Sequence, residues 1–213
     1  EKAVLRLLGS GGKKITLTNL GFPDEKLKIF RRWITQPYGM IIISGPTGSG
    51  KSTTLYAALQ EIYSESINIT TVEDPVEYQI PGVNQIQIHD KIGLTFSRSL
   101  RSILRQDPDV LLIGEIRDEE TANIAVKFSL TGHLVFSTVH ANDAPSTIAR
   151  LLDLGIPPFL LGSSLNLIMA QRLMRTIDPN AKEEYKPNDI EINKIGMPRN
   201  EADKINFYRG KPT

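Results

Sequence analysis

The chain contains no cysteine. That excludes a disulfide framework and a thiolate metal site, and it agrees with a reducing compartment. No apolar run approaches the roughly 20 residues that a bilayer-spanning helix requires, and the opening EKAVLRLLGS lacks the apolar core of a secretory signal. The expectation is a soluble protein, cytoplasmic or on a cytoplasmic membrane face. Charge of one sign is also lacking: 25 basic residues against 24 acidic ones leave a net charge of +1, and there is a single tryptophan. A motor that tracks a nucleic-acid strand needs a basic channel with stacking aromatics, so composition gives no global case for direct nucleic-acid binding. What is present, 40% hydrophobic and 23% charged residues in a 213-residue chain, suffices for one α/β core with a small appendage at either end.

One stretch carries readable chemistry: Met40 to Thr54, MIIISGPTGSGKSTT. Met40 to Ile43 reads as a buried strand. Gly45, Pro46, Thr47, Gly48, Ser49, Gly50, Lys51 and Ser52 satisfy the phosphate-loop pattern, and Thr53 to Gln60 continues as a helix. The glycines let successive N–H groups point inward at phosphate oxygens, and the helix N-terminus adds the positive end of its dipole. Lys51 is expected to reach the β- and γ-phosphates of ATP and the Ser52 hydroxyl to ligate Mg²⁺, with Thr53 completing the nucleotide-binding set.

Strand and helix signals alternate along the rest of the chain. Pro23 to Trp33 places Leu27, Ile29, Phe30 and Trp33 at helical spacing, and Pro37-Tyr38-Gly39 turns into the strand before the loop. Ile67 to Val72 is a β-branched run that delivers Glu73 and Asp74 at its tip. Val83 to Ile88 alternates after a Pro81-Gly82 turn and is expected as one arm of a hairpin outside the main sheet. Thr95 to Gln106 carries Phe96, Leu100, Ile103 and Leu104 on one helical face, with Arg98, Arg101 and Arg105 in a stripe. Val110 to Ile113 and Leu134 to Val139 read as buried strands leading to Glu115 and His140, with a helix from Glu119 to Leu130, capped by Asp118, between them. Asn142 or Asp143 caps a helix that runs to Gly155, and Pro157-Pro158 is expected to open a last helix reaching about Arg175. The alternation predicts an α/β fold: a mainly parallel sheet flanked by helices, with its ligand at the carboxyl ends of the strands.

Four expected strands end in polar groups, namely the phosphate loop, Glu73-Asp74, Glu115 and His140, so all can address one Mg-ATP. Hydrolysis needs an activated water in line with the γ-phosphate, a metal spanning the β and γ oxygens, and positive charge where negative charge spreads. Glu115 is the candidate to orient the Mg²⁺ shell; the alternative is a carboxylate that caps the next helix. Glu73 is the candidate general base and Asp74 fixes the turn before Pro75, the alternative being that both simply build an Asp-Pro turn. His140 reads as a γ-phosphate sensor or as a satisfied strand-end histidine, and His133 is open in the same way. The arginine stripe either supplies transition-state charge to a neighbouring subunit or forms a solvated or interface face.

Four segments carry a wider resemblance: the phosphate loop GPTGSGKST, ITTVEDPVEYQIPGVNQIQI from Ile69 to Ile88, LRQDPDVLLIGEIRD from Leu104 to Asp118, and TGHLVFSTVHANDAP from Thr131 to Pro145. With AQRL at Ala170 to Leu173, they make residues 15 to 176 resemble the ATPase core of the motor superfamily that drives type II secretion and type IV pilus assembly or retraction. NFYRGK at Asn206 to Lys211 resembles a segment of the assembly and secretion branch. The resemblance implies a RecA-like P-loop NTPase that uses ATP and Mg²⁺. It implies a homohexamer, peripheral to the membrane at the inner face of the cytoplasmic membrane, working with inner-membrane secretion or pilus platform proteins. It further implies Glu73 as catalytic base, Glu115 on the metal side, and His133 and His140 as nucleotide-state sensors. Arginines of an N-terminal domain or of an adjacent subunit are implied to complete the site.

The sequence departs from that family pattern twice. The assembly branch carries two cysteine pairs that bind zinc; the first would fall at Asp178 and Ala181, and the second would follow Thr213. At the front, Lys2 to Leu8 reads as the last strand of a missing N-terminal domain, and Gly9-Ser10-Gly11-Gly12 as a flexible linker, natural or introduced. The resulting scheme is a residual strand over 1–8, a linker over 9–22, the RecA-like core over 23–176 and a C-terminal remnant over 177–213. With groups from a missing domain absent, ATP binding with weakened hydrolysis is expected. Two other classes of function remain: a nucleic-acid-translocating RecA-like motor, and an ATP-dependent docking module without turnover.

Overall fold

Runs such as MIII, VLLI and LVF are apolar at consecutive positions, the composition of strands covered on both faces rather than one. The computed structural model, which describes residues 15–210, bears this out. In chain order its first elements are α1 (Asp24–Ile34), β1 (Gly39–Ser44), α2 (Lys51–Ile62), β2 (Ile69–Glu73), β3 (Asn84–Gln87), α3 (Phe96–Ile103) and β4 (Val110–Ile113). There follow α4 (Glu119–Leu130), β5 (Leu134–Val139), α5 (Ala144–Asp153), α6 (Pro158–Ser164) and β6 (Leu165–Ala170). The six strands form one sheet in the order β3-β2-β4-β5-β1-β6, and every pairing is parallel.

Successive residues of each strand feed opposite layers of the core. Met40 and Ile42 of β1, Leu111 and Ile113 of β4 and Val135 of β5 pack with α3, α4, α5 and α6. Ile41, Ile43, Val110, Leu112 and Phe136 pack on the other face with α1 and α2. The helices between are placed by their caps: the Asp118 side chain accepts from the Thr121 N–H at 2.8 Å, and Asp143, not Asn142, accepts from the Ser146 N–H at 2.7 Å.

Three sequence expectations are corrected. Val83 to Ile88 is not a hairpin arm: β3 is the edge strand of the main sheet, parallel to β2, with Thr70 opposite Asn84 and Glu73 opposite Gln87. The expected helix from Pro157-Pro158 to Arg175 stops at Ser164, and LNLIMA becomes β6, pairing along β1 from Met40 to Ser44. A six-residue apolar run has no periodicity that separates a buried helix from a strand, and the open edge of β1 decides it. Residues 15–22, expected as linker, join the core, with Leu17 fully buried beside α1 and α2. The expected strand over 1–8 and the Gly9–Gly12 segment lie outside the described residues.

The chain divides after Leu173 into a second unit. There, β7 (Lys182–Tyr185) pairs antiparallel with β8 (Phe207–Gly210), and between them lie α7 (Asp189–Lys194) and α8 (Arg199–Ala202). The Lys182 ammonium sits 3.6 Å from the centre of the Tyr208 ring, and Arg209 pairs with Glu183 at 2.5 Å. Asn188 and Glu191 form a reciprocal capping box at the start of α7. No described helix is long and apolar enough to cross a membrane.

Candidate active site

In an all-parallel sheet every strand points the same way, so the segments after β1, β2, β4 and β5 emerge along one edge. The structure thus brings the phosphate loop, Glu73, Glu115 and His140 to a common end of the sheet. His133 is not among them. It precedes β5, about 20 Å from the loop edge at the usual strand rise of about 3.3 Å per residue. There it stacks on Phe128 with ring centres 4.0 Å apart, its Nδ1 3.2 Å from Thr131 Oγ1.

The loop runs from Gly45, with φ of +147°, to Gly50, with φ of +84°, the residue before α2. Lys51 is the first residue of α2, and its Nζ donates to the carbonyl oxygens of Gly45 at 2.8 Å and Pro46 at 3.1 Å. The ammonium therefore rests across the mouth of the loop. Partial burial lowers the Lys51 pKa, and the carboxylate of Glu115 opposes that shift. Pro46, Thr47, Gly48 and the Ser52 side of the helix start are open to solvent, whereas Ser49 is buried.

Glu115 sits between Arg117 and His140. Ser137 Oγ donates to Ile113 O at 2.8 Å, Thr138 Oγ1 to Gly114 O at 2.7 Å and the Ile116 N–H to Thr138 O at 3.0 Å, which fixes the tip of β4 against β5. Arg117 then pairs with Glu115 Oε1 and reaches Asp74 at 4.0 Å, while His140 Nε2 stands 3.5 Å from Glu115 Oε2. The hydrogen bond to Glu115 is the main reason the Arg117 pKa is raised. Glu115 Oε2 is buried and accepts no hydrogen bond among the described residues, so it retains a free acceptor.

Glu73 is placed differently. It is 4% exposed, and neutral donors hold both of its oxygens. Thr71 Oγ1 donates to Oε1 at 2.5 Å and Gln85 Nε2 to the same atom at 3.2 Å, while the Tyr56 hydroxyl donates to Oε2. Tyr56 lies on α2, five residues after Lys51, and its oxygen also accepts from the Glu77 N–H at 3.2 Å. Burial, reinforced by the hydrogen bond to Glu73, pushes the Tyr56 phenol far above its usual range; burial followed by the charge of Glu73 raises Tyr78 as well. Asp74 leads into a cis bond to Pro75, and the loop beyond it is tied down by Gln87 Oε1, which accepts from the Val76 N–H at 3.2 Å.

The arginine stripe resolves into separate local contacts: Arg101 pairs with Glu120 of α4, and Arg98 donates to the Gly93 carbonyl at 3.3 Å. Sequence reasoning assigned no role to Arg117, Tyr56, Gln85 or Gln171. Arg117 stood inside a quoted motif, two residues beyond Glu115, which was a usable signal. Tyr56 and Gln85 reach Glu73 across 17 and 12 residues, and no local pattern announces such contacts.

The sequence profile of the type II/IV secretion system protein family matches residues 1–211. The chain is 51% identical over 209 residues to the type IV pilus assembly ATPase PilB of Myxococcus xanthus (strain DK1622), an alignment covering 98% of this chain and 37% of that protein. It is 54% identical over 186 residues to the type II secretion system ATPase E of Vibrio cholerae serotype O1, covering 87% of this chain and 37% of that one. The chain thus spans little more than a third of the length of these relatives. Among solved structures, the pilus retraction motor PilT with bound ADP superposes with a TM-score of 0.72 at 36% identity, over 82% of this chain and 52% of that one. With the phosphate loop and carboxylate-bearing strand tips on one edge of a parallel sheet, and a family match across nearly its whole length, this chain belongs to the type II/IV secretion system protein family.

Proposed function

We propose that the first unit binds Mg-ATP at the phosphate loop and hydrolyses it to ADP and phosphate. In the whole protein, this turnover drives assembly of a type II secretion pseudopilus or a type IV pilus. The protein works as a homo-oligomer, a hexamer, at the inner face of the cytoplasmic membrane and against inner-membrane platform proteins. The observation that carries the reading is the pairing of a phosphate loop with two carboxylates in contrasting surroundings at neighbouring strand tips. The names of the pilus assembly and type II secretion ATPases that the chain resembles support it.

Backbone N–H groups of residues 45–52 receive the phosphates, and Lys51 exchanges the carbonyls of Gly45 and Pro46 for phosphate oxygens. The Ser52 hydroxyl and the free acceptor of Glu115 suit the magnesium that accompanies the nucleotide. Among the described residues, no group of three or more histidine or acidic side chains is placed to hold a metal ion. Magnesium, when bound, would supply positive charge to the phosphate oxygens. Glu73 takes the proton of the attacking water as its oxygen bonds to the γ-phosphorus and the bond to the bridging oxygen breaks. His140 and Arg117, which face Glu115, sense whether the γ-phosphate is present.

Phosphate release and pilus or pseudopilus assembly, measured for the full-length protein with Lys51→Ala and with Glu73→Gln, test this. A motor loses assembly with either substitution. A module that uses ATP only as glue loses it with Lys51→Ala alone, and that result would overturn the proposal.

A further inference from the structure

The AQRL segment, Ala170 to Leu173, takes no part in the proposed chemistry. Its second residue, Gln171, follows β6 on the outer edge of the sheet and touches the phosphate loop at three points. Its N–H donates to Ser44 O at 2.8 Å, at the end of β1. Its Nε2 donates to Ser49 O at 2.8 Å, inside the loop. Its Oε1 accepts from Thr54 Oγ1 at 2.9 Å, in the first turn of α2. We propose that Gln171 is a positioning residue for the phosphate loop, holding strand end, loop and helix start in the shape that receives phosphates, so that nucleotide affinity depends on it.

The chemistry of the three contacts singles out an amide. A carbonyl oxygen only accepts, so the NH₂ end of Gln171 must face Ser49, and the oxygen end is then left for the Thr54 hydroxyl. Glutamate cannot donate to Ser49 O, and methionine, similar in length, can do neither. Thr54 is fully buried, so its hydroxyl has no water to turn to when Gln171 is replaced. The brace also accounts for two of the loop's glycines. A Cβ at Gly45 would stand 2.4 Å from the Gln171 carbonyl oxygen, and one at Gly50 2.9 Å from Gln171 Nε2. Gly45 and Gly50 therefore admit Gln171 as well as phosphate.

A loop that must gather its N–H groups around an anion gains affinity when that arrangement exists beforehand. Gln171 provides it from a segment 117 to 122 residues away. The inference rests on the phosphate-loop reading and is independent of whether Glu73 hydrolyses ATP, so its test is binding rather than turnover.

The full chain is titrated with a fluorescent ADP analogue in the wild type, Gln171→Met, Gln171→Glu, Thr54→Val, Thr54→Ser and the Gln171→Met/Thr54→Val pair. Gln171→Met is expected to weaken binding roughly tenfold, the size of one or two lost hydrogen bonds, and Gln171→Glu further, since it brings negative charge towards the phosphates. Thr54→Val weakens binding less, Thr54→Ser restores it, and Thr54→Val costs nothing further once Gln171 is methionine. The Thr54 series reads the same contact with Gln171 in place, so it stands even where a Gln171 variant folds poorly. Wild-type affinity in Gln171→Met, or losses that simply add in the double variant, would overturn this proposal alone. Absence of binding by the wild type would overturn it together with the phosphate-loop reading.

Discussion

Glu73 and Glu115 end neighbouring strands of one sheet, yet their surroundings are opposite in kind. Glu115 lies among basic side chains: Arg117 is paired to one oxygen, the His140 ring faces the other, and Lys51 is near enough for its charge to feel the carboxylate. Glu73 is buried among neutral donors, a phenol, a hydroxyl and an amide, with no cation paired to it among the described residues. A carboxylate beside an arginine and a lysine is suited to a site where phosphates and their magnesium would be held. A carboxylate whose hydrogen-bond partners are neutral has no counter-charge opposing its protonation, which suits a group that must accept a proton. Position along the strand is nearly the same; what differs is which face each side chain joins. Glu73 shares the α2 face with Tyr56, whereas Glu115 lies beyond the strand, where Arg117 and His140 meet it.

The comparison can be broken in graded ways. Lys51→Ala removes the cation at the mouth of the loop and is expected to weaken ATP binding by roughly 100-fold or more, read by fluorescent-nucleotide titration. Glu115→Gln is expected to lower kcat by about 100-fold and to raise the magnesium concentration needed for half-maximal phosphate release. Tyr56→Phe deletes one donor to Glu73 while leaving the loop intact, so kcat should fall about tenfold with KM for ATP little changed.

The same substitution has a signature in pH. The Tyr56 pKa is raised in the folded protein, so the stability its pairing provides is complete below the free phenol value of about 10 and is lost as pH rises beyond it. Tyrosinate absorbance from Tyr56 should therefore appear together with alkaline unfolding rather than before it, and Tyr56→Phe should shrink that step. The smallest effect concerns the histidines. His140→Ala should lower nucleotide affinity severalfold, whereas His133→Ala, which loses its stacking on Phe128, should cost about 1 kcal/mol of stability in a denaturant titration and leave nucleotide affinity alone.

Legibility in the sequence followed how local each feature is. The phosphate loop was readable because its glycines, lysine and serine are consecutive, and strand and helix follow directly. Glu115 and His140 were readable as strand tips, since short, β-branched apolar runs alternate with capped helices around them. The strand β6 was not readable: Gly162-Ser163-Ser164 is a weak break inside an otherwise apolar stretch, and the vacant edge of β1 makes LNLIMA extended. The strand β3 was recognised as a strand but assigned the wrong partner, because alternation reports which face is buried and nothing about the neighbour. Tyr56 beneath Glu73 and Gln171 behind the loop depend on packing between distant segments, which no local pattern indicates. His133 shows the converse: it lies in the same segment as His140, Thr131 to Pro145, and the direction of β5 alone puts it at the opposite end of the sheet.

The most direct measurement is phosphate release by Glu73→Gln in the full-length protein, with ATP affinity determined on the same sample. If Glu73 acts on water and Glu115 on the metal-bound phosphates, affinity should stay within about threefold of wild type while release falls by about 100- to 10,000-fold. Release at the wild-type rate, or affinity lost in proportion to release, would contradict the division of labour between the two carboxylates.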